Sequence, residues 1–137
     1  LKAISADHLM AANPRMFEKM ANSDVMGVIL PGTTFFLGQK NYVDVKKMID
    51  AGCEVALASD FNPGSCTINS LPQIMFLAMS YCNMTFEQTF KAVTYNAAKA
   101  VNRRLEIGLI KENYNADLLF WDIDSIYEIP YWFNYVF

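Results

Sequence analysis

The chain has 137 residues, of which 53% are hydrophobic and 18% charged, and its formal net charge is −3. Lys and Arg are scattered, without the basic stripe that neutralises phosphates, so nucleic acid is excluded as an expected partner. The cysteines Cys53, Cys66 and Cys82 lack CxxC spacing, which predicts free thiols in a reducing compartment. No apolar run reaches the roughly 20 residues of a membrane span, so we expect a cytoplasmic protein without a membrane partner.

Strand-like apolar runs alternate with helical patterns up to about residue 100, which indicates βα units around a parallel sheet. The predicted strands are residues 2–6, 25–30 and 54–59, the second ended by Pro31 and Gly32. The predicted helices are 41–51, 70–81 and 96–102, one that begins at Ala11 or Asn13, and one that opens at Thr85.

The pattern changes beyond residue 104. Residues 107–111 and 116–122 are typical of short strands separated by a polar turn, so we expect a small β element outside a barrel. It would end in the aromatic tail 131–133. The sequence begins without Met inside a predicted strand, which we interpret as a truncated chain.

Polar side chains follow each of the three predicted strands. Asp7 and His8 come after the first, residues 31–34 after the second, and residues 60–65 after the third. In parallel α/β barrels the active site lies at the carboxyl ends of the strands. The sequence therefore predicts a candidate site built from these three loops.

Asp60 directly follows a hydrophobic strand and has two interpretations. Its carboxylate could bind a metal ion or act as the base for a water, or it could cap a turn, since Asp before Asn-Pro-Gly-Ser is also ordinary turn chemistry. Asn62, Gly64 and Ser65 could likewise form a loop whose donors grip a carboxylate or a ring carbonyl, or only a turn.

His8 is the only histidine of the chain, so it cannot complete a zinc site of three protein ligands by itself. Its position at a strand end leaves two interpretations, a structural role or one in which imidazole orients a water or polarises a carbonyl. The eight methionines are spaced as core residues.

Several segments together resemble the imidazolonepropionase family of the amidohydrolase superfamily. The most specific is ALASDFNPGS at 56–65, supported by SADHL at 5–9 and EIPY at 128–131. TYNAA at 94–98 and ADL at 116–118 are shared more widely among amidohydrolases. The resemblance covers essentially the whole chain.

The resemblance implies an α/β fold in which 1–104 supply the last units of a distorted (β/α)8 TIM-like barrel. Residues 105–137 would supply part of a small β-sandwich domain. It also implies one divalent ion, zinc or iron, bound by Asp60, which accepts a proton from the attacking water. His8 would orient that water or the substrate, and Asn62, Gly64 and Ser65 would bind the substrate.

The implied reaction is hydrolysis of 4-imidazolone-5-propanoate, a small-molecule substrate, to N-formimidoyl-L-glutamate in histidine degradation. The parent enzyme would be a homodimer. The remaining metal ligands of the family are absent from this sequence and would lie upstream, so the chain alone is expected to be inactive. The alternatives are another metal-dependent amidohydrolase, such as a deaminase or cyclic-ureide hydrolase, and a metal-free binding or scaffold fragment.

Overall fold

A computed structural model describes residues 3–133. Within them, three short strands form a parallel sheet in the order β1-β2-β3. The strands are β1 (Ser5–Asp7), β2 (Met26–Ile29) and β3 (Val55–Leu57). Helical segments occupy both connections, so the predicted βα organisation is confirmed.

The helices of the described residues cover the sheet and extend beyond it. Their bounds are α1 (Pro14–Ala21), α2 (Pro31–Phe36), α3 (Val45–Asp50), α4 (Leu71–Tyr81), α5 (Phe86–Val93), α6 (Tyr95–Ala100) and α7 (Glu128–Tyr131). Helices α5 and α6 pack against β3, while α4 contacts α2, α5 and α7.

Side-chain caps start several helices where the sequence predicts them. The Asn13 side chain accepts a hydrogen bond from the Met16 amide at 3.1 Å, and Pro14 occupies the first turn, where its missing N–H costs nothing. Thr85 and Gln88 form a reciprocal capping box at the start of α5. The predicted starts of α1 and α5 are therefore confirmed.

The core lies between the sheet and the helices around it. All three residues of β3 are buried, as are Met26 and Ile29 of β2, which explains the nearly uninterrupted apolar sequence of both strands. Met48 of α3 and Ile74 of α4 are fully buried and belong to the same core cluster.

Two elements near β2 differ from the prediction. Pro31 and Gly32 end the strand, but they also begin α2, because the fixed φ of proline suits a first helical turn. Helix α3 begins at Val45 rather than residue 41, since the Asp44 side chain accepts a hydrogen bond from the Lys47 amide and caps it there.

The strands expected at 107–111 and 116–122 do not form in the described part of the chain, so the β-sandwich segment is not confirmed. Ile110, Leu119 and Phe120 are 91%, 81% and 93% exposed. A strand needs a hydrogen-bonded neighbour, and residues 3–133 offer these segments none. The division at residue 104 stays a prediction, and α7 replaces part of the expected tail.

None of the helices within residues 3–133 is both long and apolar enough to cross a membrane.

Candidate functional site

The loops after the three strands lie side by side at one edge of the sheet. Because the strands are parallel and Ile29 pairs in register with Leu57, the chain leaves β2 and β3 at the same level. Residues a few positions beyond these ends, Thr33 and Asp60, therefore meet although 27 positions separate them. His8 comes to the same place from the end of β1.

The carboxylate of Asp60 is the centre of this cluster. The Thr33 hydroxyl donates a hydrogen bond to Asp60 Oδ2 at 2.7 Å. His8 Nε2 lies 3.9 Å from the same oxygen, close enough for an electrostatic contact but too far for a direct hydrogen bond. The His8 side chain is 50% exposed and that of Asp60 31%, so both remain accessible to water and to a small ligand.

Backbone conformation at the strand ends is unusual. His8, Leu9 and Asp60 have φ angles of 65°, 59° and 54°, in the left-handed region that residues other than glycine rarely occupy. Such conformations cost free energy and persist where the surrounding structure enforces them, often at functional sites. Two of the three are the residues that the sequence selects as catalytic candidates.

The loop after Asp60 is held together by the side chain of Asn62. Its Nδ2 donates to the Asp60 carbonyl oxygen at 2.6 Å and to Ser65 Oγ at 3.0 Å. Its Oδ1 accepts from the amides of Gly64 and Ser65, both at 2.8 Å. The amides expected to face a ligand therefore face Asn62, as the turn interpretation predicts, and the substrate-binding role of this loop stays a prediction.

Cluster geometry limits what this part of the chain can bind. Within residues 3–133 no group of three or more His, Cys, Asp or Glu side chains could hold a metal ion. Asp60 and His8 come together; Asn62 and Ser65 extend the cluster through the loop.

An apolar cavity of about 320 Å³ lies elsewhere, between α4, α5 and α7, and none of the strand-end residues lines it.

Thr33 is the site residue to which sequence reasoning gave no role. The sequence of 31–34 indicates a strand end, but nothing in it distinguishes one threonine from the other. In the structure Thr33 faces Asp60, whereas the Thr34 hydroxyl contacts Met10 Sδ at 3.2 Å. The signal that could have found Thr33 is the register of β2 and β3, which requires the structure.

Comparison with known proteins shows close relatives for nearly all of the chain. It is 47% identical over 134 residues to imidazolonepropionase from Alkaliphilus oremlandii, covering 98% of this chain and 32% of that protein. It is 46% identical over 131 residues to imidazolonepropionase from Bacillus velezensis, covering 96% of this chain and 31% of that protein. The chain thus spans about a third of the length of the curated relatives it matches.

Solved structures share the fold at lower identity. A zinc-bound adenosine deaminase from Xanthomonas campestris superposes with a TM-score of 0.76 at 18% identity, over 82% of this chain and 27% of that one. A triazine hydrolase variant superposes with a TM-score of 0.78 at 17% identity, over 89% of this chain and 28% of that one. The family described as "Amidohydrolase family" matches residues 6–135. Sequence, fold and family match agree, and the chain belongs to the amidohydrolase family.

Proposed function

We propose that this chain is the C-terminal part of a metal-dependent hydrolase that converts 4-imidazolone-5-propanoate to N-formimidoyl-L-glutamate. The observation that carries the proposal is the meeting of His8 with the loop of Asp60 at one edge of the sheet. Relatives called imidazolonepropionase, at 44–47% identity, support this substrate over that of a deaminase. The fold neighbours named as deaminases support only the architecture.

The reaction adds water across a carbon–nitrogen bond of the ring amide. The water oxygen bonds to the ring carbonyl carbon, the bond from that carbon to nitrogen breaks, and the nitrogen gains a proton. Asp60 accepts the proton of the attacking water at a carboxylate oxygen. His8, 3.9 Å away, orients the water or the substrate carbonyl. A bound divalent ion would lower the pKa of water and polarise the carbonyl.

The residues present fit part of a metal site. Asp60 supplies one carboxylate ligand whose side chain is accessible, but a catalytic zinc site usually takes three protein ligands. Within residues 3–133, no three His, Cys, Asp or Glu side chains are placed so that they could hold a metal ion together. We therefore assign the remaining ligands to a longer polypeptide, consistent with the chain matching 32% of its relative. Zinc and iron remain the two candidate ions.

The loop 60–65 is the proposed substrate contact. The side chain of Asn62 makes its hydrogen bonds within the loop. Direct contact with the substrate therefore requires one of these hydrogen bonds to be replaced. Ser65 Oγ accepts from Asn62 Nδ2 at 3.0 Å and donates its hydroxyl proton to Asn62 Oδ1 at 3.2 Å, so donation to a substrate oxygen requires Ser65 to exchange that bond. Gly64 is exposed and allows close approach to its backbone.

The proposal extends to the fold. We propose that the sheet continues into a (β/α)8 barrel and that residues 105–137 join a small β domain formed with another part of the polypeptide. The exposure of Ile110 and Phe120 supports this, because a paired strand would bury such side chains. The three free cysteines support a reducing, cytoplasmic compartment. The homodimer stays a prediction from the family resemblance.

The test is hydrolysis of 4-imidazolone-5-propanoate by the full-length gene product, with metal content measured on the same sample. Asp60→Asn keeps the size of the side chain and removes its charge; we expect turnover to fall by at least about a thousandfold, since base and ligand are lost together. Asp24→Asn is the matched control, because Asp24 is exposed just before β2, at the opposite end of that strand.

Three outcomes distinguish the candidate functions. Product formation that requires Asp60 but not Asp24 supports the proposal. Full activity of the Asp60→Asn protein would refute the assignment of that residue. Ammonia release from an aminated ring, with no opening of the imidazolone, would favour a deaminase.

A further inference from the structure

We infer that Thr33 is a positioning residue whose hydroxyl sets the orientation of the Asp60 carboxylate. Its importance for catalysis rests on the function proposed above, but its contact with Asp60 does not. Thr33 is only 7% exposed, so its hydroxyl is shielded from water and directed at Oδ2 at 2.7 Å. A hydrogen bond to an ionised acceptor is about twice as strong as one between neutral groups.

Asp60 is fixed at two points, one on its backbone and one on its side chain. Asn62 Nδ2 holds its carbonyl oxygen at 2.6 Å, and Thr33 Oγ1 holds Oδ2 at 2.7 Å. The hydrogen bond from Thr33 and the contact with His8 both fall on Oδ2. The carboxylate therefore offers Oδ1 to an ion or a water, while Oδ2 stays bound to Thr33 and faces His8.

The fold delivers Thr33 to this position through close packing at Gly32. A Cβ added there would lie 2.7 Å from Ile74 Cδ1 and 3.0 Å from Cys66 Sγ, so only glycine lets the start of α2 approach so closely. Cys66 follows the loop of Asp60 and is fully buried. The contact between Thr33 and Asp60 is thus supported by a packed neighbourhood.

Thr34 provides a matched control from the next residue. It is 4% exposed, of the same type and on the same helix, but its hydroxyl points to Met10. Thr33→Val and Thr34→Val each replace a hydroxyl by a methyl of similar size. Only Thr33→Val removes a donor from Asp60, whereas Thr33→Ser retains that donor.

Loss of a group that orients a metal ligand typically lowers metal affinity or activity by about 10- to 100-fold. We expect a decrease of that size in kcat for Thr33→Val with KM changed less than about threefold, because Thr33 orients Asp60 rather than the substrate loop. Thr33→Ser should restore most of kcat. Thr34→Val should keep wild-type kinetics at the site.

The experiment compares the wild-type full-length gene product with these three variants, each loaded with zinc. It measures kcat, KM, the rate of zinc loss to EDTA and the thermal unfolding midpoint. Zinc loss about tenfold or more faster in Thr33→Val than in Thr34→Val, at similar unfolding midpoints, is the expected result. If Thr33→Val does not fold, Thr33→Ala removes the same hydroxyl with a smaller side chain.

Failure of the inference is distinguishable from failure of the proposed function. An active wild-type enzyme in which Thr33→Val and Thr34→Val behave alike would overturn the inference and leave the function intact. A wild-type protein that binds zinc but does not open the imidazolone ring would overturn the function, and the zinc-loss rates would still decide the role of Thr33. A wild-type protein that retains no divalent ion would overturn both.

Discussion

Gly32→Ala tests the packing that brings α2 to the candidate site. The added Cβ would lie 2.7 Å from Ile74 Cδ1 and 3.0 Å from Cys66 Sγ, and both side chains are fully buried. Overpacking of this kind lowers the free energy of unfolding by about 1–3 kcal/mol, while replacing glycine by alanine in a helix raises it by up to about 1 kcal/mol. We expect a net loss of about 1 kcal/mol, measured from urea unfolding curves of the full-length gene product.

A double-mutant cycle identifies the atom responsible. Ile74→Val removes Cδ1 and alone costs about 0.5–1.5 kcal/mol. Combined with Gly32→Ala, it should cost about 1 kcal/mol less than the sum of the two changes, because the clash is gone. Gly27→Ala is the control, since Ile74 is not among the atoms nearest to a Cβ added there, and its effect should add to that of Ile74→Val. Additivity within about 0.3 kcal/mol would refute the reasoning.

Two further predictions concern buried polar groups. Asn96→Ala removes the buried hydrogen bond from Asn96 Nδ2 to the Val55 carbonyl at 2.7 Å and should lower the unfolding free energy by about 1–3 kcal/mol. Asn96→Asp, which places a negative charge there, should cost more, and a neutral effect would contradict the role of the amide. For Cys82, burial and, to a lesser degree, the Asp44 carboxylate raise the pKa of the thiol from 9.0 to about 12. As the pH rises, the Cys82 thiol therefore loses its proton in the unfolded chain before it does so in the folded chain. The free energy of unfolding is unaffected by this group below about pH 9 and falls above it, by at most about 1.4 kcal/mol per pH unit. Unfolding measured from pH 8 to 10.5 should show a steeper decline for wild type than for Cys82→Ala, and equal slopes would contradict the shift.

The parts of the fold that sequence predicted are those whose signal is local. Strands β2 and β3 are continuous apolar runs because both faces are covered, and α1 and α5 start at side-chain caps visible in the sequence. Helix α2 was missed because Pro31 and Gly32 end a strand as readily as they begin a helix. The tertiary position of β2 decides between these outcomes.

The strands expected at 107–111 and 116–122 failed for a different reason. A short apolar run forms a strand only beside a hydrogen-bonded neighbour, and the sheet within residues 3–133 offers these segments none. Phe120 is an aromatic residue of a type usually buried, yet it is 93% exposed because no described residues cover it. Under the proposed function, the neighbouring strands would come from another part of the polypeptide.

The candidate site shows the same limit at the level of single residues. Asp60 and His8 could be selected from their places at strand ends, but their separation of 3.9 Å and the link through Thr33 depend on the register of the sheet. One carboxylate and one imidazole are too few to hold a catalytic zinc ion. In the proposed enzyme they would direct a water or a carbonyl while other groups hold the ion. Under the proposed function, the residues of this chain orient the reacting groups, and the ligands that complete the metal site belong to a longer polypeptide.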